Sequence, residues 1–395
     1  MKKRFQSKYL TMILFLAFLA VMYLTNIPPL VNGCKAAATE FLQNGTIAPT
    51  HITQAHSRNF WQKESLINLN GGIQRLLGAR AINDRYLMDN GHMTYTLEKY
   101  DMREGAQNTL DFYTALREKN IPMVYVNAPF KVPENDKLLP VGIEDYSNEN
   151  ANQFLSILKE NQVPVLDLRE KIADDGLNYE EIFYYTDHHW RAETGLWAAA
   201  KILDFLEELD PQLTTDKQVA DPANYNVTTY ENIFLGSAGR RAGALYVKPD
   251  DFSIITPKFD TDISFIIESS DLSREGTFAD TFLFNEHLIS DSILDSNSYS
   301  TYASDDTDLI KILNRNPDKS ISCSPKKILI IKDSFFKVVF PFLSLGYSET
   351  HVIDLRAFTE DLMSYIQDYQ PDLVMVMYNQ GAYEQSNSEM FHFLP

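Results

Sequence analysis

The chain has 395 residues, of which 44% are apolar, and its 35 lysines and arginines against 54 aspartates and glutamates give a net charge of −19. This composition is typical of a folded acidic protein and excludes a disordered or collagen-like chain. Nucleic-acid binders depend on a basic face, so we expect no nucleic-acid partner. The two cysteines, Cys34 and Cys323, stand apart from other cysteines and histidines, which excludes a disulfide framework and a structural zinc site.

A basic and then apolar segment opens the chain. Residues 9–24 are apolar except for Thr11, and proline follows at positions 28 and 29. The preceding basic residues are Lys2, Lys3, Arg4 and Lys8. Residues 1–30 are therefore predicted to form an uncleaved signal anchor, which makes the protein a single-pass cell-membrane protein with an extracytoplasmic domain. The alternatives are a cleaved signal peptide, giving a secreted protein, and a lipoprotein that carries its lipid on Cys34.

The polar residues 31–60 are predicted to be a linker, and residues 61–395 a catalytic domain with a β-rich insertion at about 212–320. Residues 81–88 are predicted to form a strand. Apolar spacing then predicts helices at 101–119, 150–160, 191–209, 335–345 and 358–369, and strands at 122–126, 163–168, 327–331, 351–355 and 372–378. This alternation predicts an α/β fold, with a parallel sheet covered by helices on both faces in three layers.

Chemistry-bearing residues concentrate first at positions 183–190, which read Phe-Tyr-Tyr-Thr-Asp-His-His-Trp. Asp187 and His189 are separated by one residue, so the carboxylate can orient the imidazole as in a general-base pair. The alternative is structural: Asp187 caps the helix that begins near Trp190, and the histidines are hydrogen-bonded core residues.

The second concentration follows the strand predicted at 327–331. Lys332, Asp333 and Ser334 lie between this strand and the next helix, at the edge where open α/β sheets bind ligands. Free N–H groups at a helix start favour a developing oxyanion there, which makes Ser334 a candidate nucleophile. The alternative is an ordinary helix cap.

Together the two segments resemble a known family. Thr186 to Trp190 is similar to the name-giving motif of the DHHW protein family, and its Asp-x-His-Trp core resembles that of the alginate O-acetylation proteins and related SGNH-like acetyltransferases. The resemblance extends to residues 127–131, 236–243 and 332–335. It implies an SGNH hydrolase-like fold in which Ser334 is the nucleophile, His189 the general base and Asp187 its orienting carboxylate.

Two features depart from that family pattern. Lys332 replaces the usual glycine before Asp-Ser, and the Asp-x-x-His of ordinary SGNH esterases is missing near the C-terminus. Oxyanion donors are expected to be the Ser334 N–H with Arg356, Tyr378 or Asn379. The further candidates for substrate contacts are Lys332, His188 and Trp190.

The sequence therefore predicts an extracytoplasmic O-acetyltransferase or acetylesterase of a cell-surface or exported polysaccharide, with no metal and no cofactor. The resemblance also implies a membrane-bound partner that supplies acetyl groups. A catalytically inactive glycan-binding or assembly protein of the same fold is the alternative. A metal-dependent phosphoesterase of the DHH class is disfavoured, because the chain before position 187 offers no Asp-x-Asp on an apolar strand.

Overall fold

The computed structural model describes residues 2–44, 60–134, 137–315 and 320–394. Its contacts divide the chain into two units, residues 1–70 and 71–395. In the first unit, helix α1 (Lys2–Asn44) includes the segment Tyr9–Thr39, whose mean hydropathy is 2.2. This segment is long and apolar enough to cross a membrane, as a membrane anchor or a signal sequence would.

Helix α1 continues beyond the end that the sequence predicted. Pro28 and Pro29 lie inside it, and residues 31–44 of the predicted linker are helical. Prolines inside a helix disfavour it, whereas the alanines at positions 36–38 favour the helical continuation. The rest of the predicted linker, at positions 45–59, lies outside the described residues.

The second unit is built on an eight-stranded sheet. In spatial order its strands are β5 (Val165–Asp167), β4 (Met123–Ala128), β13 (Leu373–Asn379), β11 (Ser324–Lys332), β12 (Tyr347–Ile353), β10 (Leu309–Asn314), β8 (Ile263–Ile267) and β9 (Leu272–Gly276). The first five strands are parallel, and the last three continue the sheet in antiparallel fashion.

Helices cover both faces of this sheet. In chain order, the helices that follow α1 in the described residues are α2 (Lys63–Leu76), α3 (Arg103–Glu118), α4 (Ser147–Glu160), α5 (Leu168–Asp174), α6 (Ala192–Leu209), α7 (Ser237–Ala242), α8 (Phe278–Phe282), α9 (Phe340–Ser344) and α10 (Leu362–Tyr369). In β11, Ile328 and Ile330 pack in the core that α6 closes, whereas Leu329 and Ile331 pack in the core that α3, α4 and α10 close. The predicted three-layer α/β architecture is confirmed.

Two short sheets lie outside the main one. β1 (Ala81–Ile82), β2 (Arg85–Leu87) and β3 (Met93–Thr94) form the first. The strand predicted at 81–88 is therefore a hairpin, because Asn83 and Asp84 adopt positive φ angles of 48° and 58° and reverse the chain. The second sheet pairs β6 (Tyr225–Phe234) with β7 (Asp250–Pro257).

The β-rich region predicted at about 212–320 is only partly separate from the core. It contains the β6–β7 pair, but β8, β9 and β10 extend the main sheet, with Leu309 of β10 opposite Ile353 of β12. The helix predicted at 335–345 is divided into a 3₁₀ turn at Ser334–Val338 and α9, which has Pro341 in its first turn.

The parallel strands end together at one edge of the sheet. Lys332 at the end of β11 lies opposite Met377 of β13, and Met377 lies opposite Val126 of β4. Residues that follow these strands are therefore brought close to one another, and Ser334 is among them.

Candidate active site

Ser334 is the first residue of the 3₁₀ turn that follows β11. Asp333 caps this turn: its carboxylate accepts the Phe335 N–H at 2.9 Å and the Asn379 N–H at 2.6 Å. Burial raises the pKa of Asp333 to about 6. The cap ties the turn to the end of β13 and fixes Ser334 at the edge of the sheet, where its side chain is partly exposed.

His189 faces Ser334 and Asp187 with its two ring nitrogens. The distance from Nε2 to Ser334 Oγ is 2.9 Å, and that from Nδ1 to Asp187 Oδ1 is 2.5 Å. The first of these distances lies within the range of about 2.6 to 3.2 Å that is expected between a general base and the group it deprotonates. These three residues form a hydrogen-bonded relay, which we call the Ser–His–Asp relay.

Asp187 is buried and has several donors. Its Oδ1 accepts the His189 N–H at 3.0 Å, and its Oδ2 accepts the Ser237 N–H at 2.5 Å. Burial raises its pKa, but the charges of His188 and His189 and the hydrogen bonds outweigh this effect, so the pKa lies well below its usual value. Asp187 is therefore a carboxylate that can stabilise an imidazolium at His189.

The loop that carries this relay is joined to the start of α7. The Thr186 hydroxyl accepts the Gly236 N–H at 2.8 Å and donates to Asp250 at 2.6 Å. A Cβ atom placed on Gly236 would lie 2.2 Å from the Asp187 Cβ, so only glycine fits at this approach. The resemblance gave residues 236–243 no role, and in the structure Gly236 and Ser237 of this segment contact Asp187.

Lys131 holds the same loop from the other side. Its ammonium group donates to the carbonyl oxygens of Asp187 and Met93, at 2.9 Å for Met93. It is 2% exposed, and burial lowers its pKa to about 7. Lys131 thus positions the backbone of the relay loop and lies beneath it, away from solvent.

Aromatic rings orient the imidazole of His189. Tyr299 stacks on it with the centroids 3.9 Å apart and the planes 14° from parallel. The Tyr299 hydroxyl and the Trp190 indole N–H both donate to the Phe335 carbonyl, at 2.9 and 2.8 Å. Trp190 is thus a buried support and not a substrate contact. Sequence reasoning missed Tyr299, because its neighbours carry no motif.

His188 lies against the start of α7. Its Nδ1 lies 3.1 Å from the Ser237 hydroxyl, and burial followed by the charge of His189 lowers its pKa to about 3. Asp187, His188 and His189 each offer one potential metal ligand within 4.8 Å of the others. In the relay, however, both nitrogens of His189 already face Asp187 and Ser334.

Two of the three predicted side-chain oxyanion candidates, Tyr378 and Asn379, have other partners. The Tyr378 hydroxyl donates to the Met390 carbonyl on the opposite face of the sheet, and the Asn379 side chain donates to the Pro129 carbonyl at 2.5 Å. The prediction placed them correctly at a strand end, but strand alternation turns Tyr378 away from Ser334. Asn379 instead supports Asp333 through its backbone N–H.

Arg356 and Lys332 belong to an ion cluster in which Lys332 and Asp354 are buried, whereas Arg356 and Asp306 are exposed. Arg356 binds Asp354 at 2.5 Å and Asp306 at 3.3 Å, whereas Lys332 lies 3.5 Å from Asp354 and 3.6 Å from Asp306. Lys337 lies 3.9 Å from Asp306. Burial raises the pKa of Asp306, but these three cations outweigh it and lower the pKa to about 2. Among the described contacts, Arg356, which was predicted as an oxyanion donor, and Lys332, which was predicted as a substrate contact, both form ion pairs.

Comparisons with known proteins agree with this architecture. Residues 84–240 match the family described as SGNH hydrolase-like domain, acetyltransferase AlgX. The structure is similar to PatB1 from Bacillus cereus, solved with a sulfonyl adduct, with a TM-score of 0.63 and 22% identity over 80% of this chain and 100% of that chain. For a DHHW family protein from Eubacterium siraeum, the TM-score is 0.58 and the identity 19%, over 80% and 96% of the two chains.

The O-acetyltransferase domain of Pseudomonas putida AlgJ gives a TM-score of 0.47 and 11% identity, over 77% of this chain and 93% of that one. A sequence comparison with curated proteins finds no match. The predicted resemblance and the SGNH-like fold are confirmed. The family match includes Asp187, His189 and Ser237 but ends before Ser334.

Proposed function

We propose that this protein is an extracytoplasmic O-acetyltransferase or acetylesterase that acts on a cell-surface or exported polysaccharide. The observation that carries the proposal is the Ser–His–Asp relay, with distances of 2.9 and 2.5 Å between its members. The family match to an acetyltransferase domain, which contains two of the three relay residues, supports the same chemistry.

In the first half-reaction, Ser334 Oγ attacks the carbonyl carbon of an acetyl ester while His189 Nε2 takes the hydroxyl proton. Asp187 stabilises the resulting imidazolium. The carbonyl oxygen becomes an oxyanion, and the Ser334 N–H at the start of the turn is one donor for it. When the intermediate collapses, the ester C–O bond breaks, the leaving alcohol takes the proton from His189, and acetyl-Ser334 remains.

In the second half-reaction, His189 takes a proton from a sugar hydroxyl or from water, and that oxygen attacks acetyl-Ser334. Collapse returns the proton to Ser334 Oγ and releases an acetylated sugar or acetate. A membrane-bound partner would supply the acetyl groups for transfer. The apolar helix of residues Tyr9–Thr39 supports a membrane location.

The two adjacent histidines provide a matched test. With a small acetyl ester as substrate, Ser334→Ala and His189→Ala should lower kcat on the order of 10²- to 10⁴-fold, the contribution of a positioned nucleophile and base. His188→Ala, the control, should mainly lower stability, by about 1 to 2 kcal/mol, or weaken substrate affinity. Mass spectrometry should detect acetyl-Ser334 during turnover.

Other outcomes would refute particular parts of this proposal. An equal loss in both histidine variants, with folding intact, indicates a shared ligand role such as metal binding. A larger loss for His188→Ala means that His188 is the base. If the wild-type protein turns over no acetyl ester and forms no acetyl-Ser334, the catalytically inactive glycan-binding alternative replaces the enzyme.

A further inference from the structure

The last turn of α2 carries large apolar side chains on its solvent side. Ile73, Leu76 and Leu77 are 47%, 89% and 76% exposed. They follow the helical spacing i, i+3 and i+4, and the Leu77 N–H donates to the Ile73 carbonyl at 3.0 Å, so the three side chains share one face of the helix. Exposed apolar side chains grouped in this way mark a surface that binds another apolar surface.

The inner side of α2 is already packed. A Cβ atom placed on Gly71 would lie 1.9 Å from the Ala242 carbonyl oxygen, and one placed on Gly72 would lie 3.3 Å from the Leu245 Cβ. Because α2 meets the rest of the fold through these glycines, its exposed face is not a core face. Leu245 is 63% exposed and lies beside the helix, so it widens the exposed surface. The four exposed side chains form what we call the apolar patch: Ile73, Leu76, Leu77 and Leu245.

Basic residues accompany the apolar patch. Residues 71–80 and 237–249, which contribute the patch, include five basic residues and no acidic one, although acidic residues outnumber basic ones by 54 to 35 in the whole chain. The five are Arg75, Arg80, Arg240, Arg241 and Lys248. Arg75, Arg241 and Lys248 are exposed. Arg75 and Lys248 line the same surface cleft as Leu245, which places both cations at the border of the patch.

The acidic residues that line this cleft are hydrogen-bonded within the protein. Asp250 accepts the Thr186 N–H at 2.8 Å, and Asp251 accepts the Asn232 N–H at 2.8 Å. The guanidinium of Arg75 lies instead 5.9 Å from the centroid of the Tyr246 ring, next to Leu245 in the chain. The surface around the patch therefore combines apolar side chains with exposed cations, and anionic headgroups complement its charge.

The position of the apolar patch in the chain indicates which apolar surface covers it. Thr39 ends the segment Tyr9–Thr39, which is long and apolar enough to cross a membrane, and Ile73 follows 34 positions later. A surface tethered so closely to a bilayer meets lipid at a high effective concentration. Apolar side chains next to exposed lysine and arginine are also the pattern of segments that lie in the membrane interface. Lipid therefore fits both the chemistry and the location of the patch.

We propose that the apolar patch, together with Arg75 and Lys248, docks onto the surface of the anionic lipid bilayer that holds α1. The apolar side chains enter the headgroup boundary, and the two cations contact lipid phosphates. This inference goes beyond the proposed function: it rests on the membrane location proposed there and is independent of the relay chemistry. The second unit is then held against the membrane by its own contact and not by the anchor alone.

The test is lipid quenching of a fluorophore on the full-length chain in nanodiscs of phosphatidylcholine and phosphatidylglycerol. Cys34→Ser and Cys323→Ser remove the native thiols, and Leu76→Cys carries the fluorophore. Val141→Cys is the matched control, because Val141 is an apolar residue with 103% exposure outside the patch. A spin-labelled lipid headgroup should quench the fluorophore at least about twofold more at position 76 than at position 141, since interfacial side chains lie about 5 to 10 Å into the headgroup boundary.

The charge of the patch is tested in the same nanodiscs. Arg75→Gln with Lys248→Gln should lower the quenching at position 76, and so should replacing phosphatidylglycerol by phosphatidylcholine. Arg117→Gln, which changes an exposed arginine on α3, should leave the quenching unchanged. Leu77→Cys provides a second labelled position in the patch and should be quenched as strongly as Leu76→Cys. The Tm of each variant checks that the fold is intact.

Docking is refuted if position 76 is quenched no more than position 141 in nanodiscs that contain the chain. It is also refuted if iodide is excluded from position 76 only as the protein concentration rises, without lipid quenching, because a second copy of the chain then covers the patch. Quenching that survives both charge changes would refute the role of anionic lipid. Incorporation into nanodiscs reports on α1 and acetyl-ester turnover on the relay, so a failure of the proposed function is distinguishable from a failure of the patch.

Discussion

The substitution Gly236→Ala tests whether the close approach of α7 holds the relay in its working geometry. Gly236 has φ −67°, a value that alanine adopts freely, so the backbone itself is not strained by the change. The added Cβ would instead lie 2.2 Å from the Asp187 Cβ and 2.5 Å from its Oδ2. The perturbation therefore acts directly on the carboxylate that orients His189.

Non-bonded carbons prefer separations of about 3.5 to 4.0 Å, so Asp187 or the start of α7 must move by more than about 1 Å. Such a shift disrupts the 2.5 Å bond to His189 Nδ1 and the 2.5 Å bond from the Ser237 N–H. A misplacement of about 1 Å in a catalytic group can lower the rate about 10²-fold. The same overpacking should destabilise the fold by about 1 to 3 kcal/mol.

The assay is steady-state hydrolysis of a small acetyl ester, with thermal unfolding measured in parallel. We expect kcat of Gly236→Ala to fall about 10²-fold in protein that remains folded at the assay temperature. Gly72→Ala is the matched control, since its new Cβ would lie 3.3 Å from the side chain of Leu245, which is 63% exposed and can move. A folded Gly236→Ala protein whose kcat stays within about threefold of wild type would refute the role assigned to this contact.

Two further predictions concern stability and topology. His92 is 1% exposed, neither of its ring nitrogens has a hydrogen-bond partner among the described residues, and burial followed by the charge of Lys131 lowers its pKa to about 3. Since the unfolded chain binds the proton near pH 6.5, stability should be lost as pH falls from 6.5 toward 3, by about 2 kcal/mol at pH 5. His92→Phe, which keeps a ring against Tyr185, should lose less Tm than wild type between pH 7 and 5; an equal loss would contradict this account. An alkaline phosphatase fused after Pro49 should be active in intact cells and one fused after Lys8 inactive; an inactive Pro49 fusion would place the domain in the cytoplasm.

The parallel centre of the fold could be predicted from the sequence because its strands are continuous apolar runs. Ile328 to Ile331 and Leu373 to Met377 are buried on both faces, which is the pattern of a central parallel strand. The antiparallel strands β8, β9 and β10 carry more polar and charged residues, and the pairing of β10 with β8 and β12 depends on partners distant in sequence. No local pattern shows that β10 lies beside β12.

In the candidate site, too, residues in a local sequence pattern could be predicted, whereas contacts between distant segments could not. Asp187, His189 and Ser334 stood out because each lies in a short segment whose composition and position suggest chemistry. Tyr299 lies 110 residues from His189 and meets it only in the folded chain. Arg356 and Tyr378 were predicted because they lie near strand ends. A position at the end of a strand places a residue at the edge of the sheet, but it does not determine the direction of the side chain. Ion pairing and strand alternation determine that direction.

Two buried carboxylates support the site, and their surroundings suit them to different roles: Asp333 directly precedes Ser334, and Asp187 is linked to it through His189. Asp187 faces two histidines, which keep its pKa well below the usual value, so it remains charged and can stabilise a protonated His189. Asp333 faces backbone N–H groups and lies deep in the sheet edge, where burial raises its pKa to about 6. When their surroundings give two carboxyl groups of one site different pKa values, the two groups can have different roles. Under this division Asp187 is the electrostatic partner of the base, and Asp333 is the cap that holds the Ser334 turn in place.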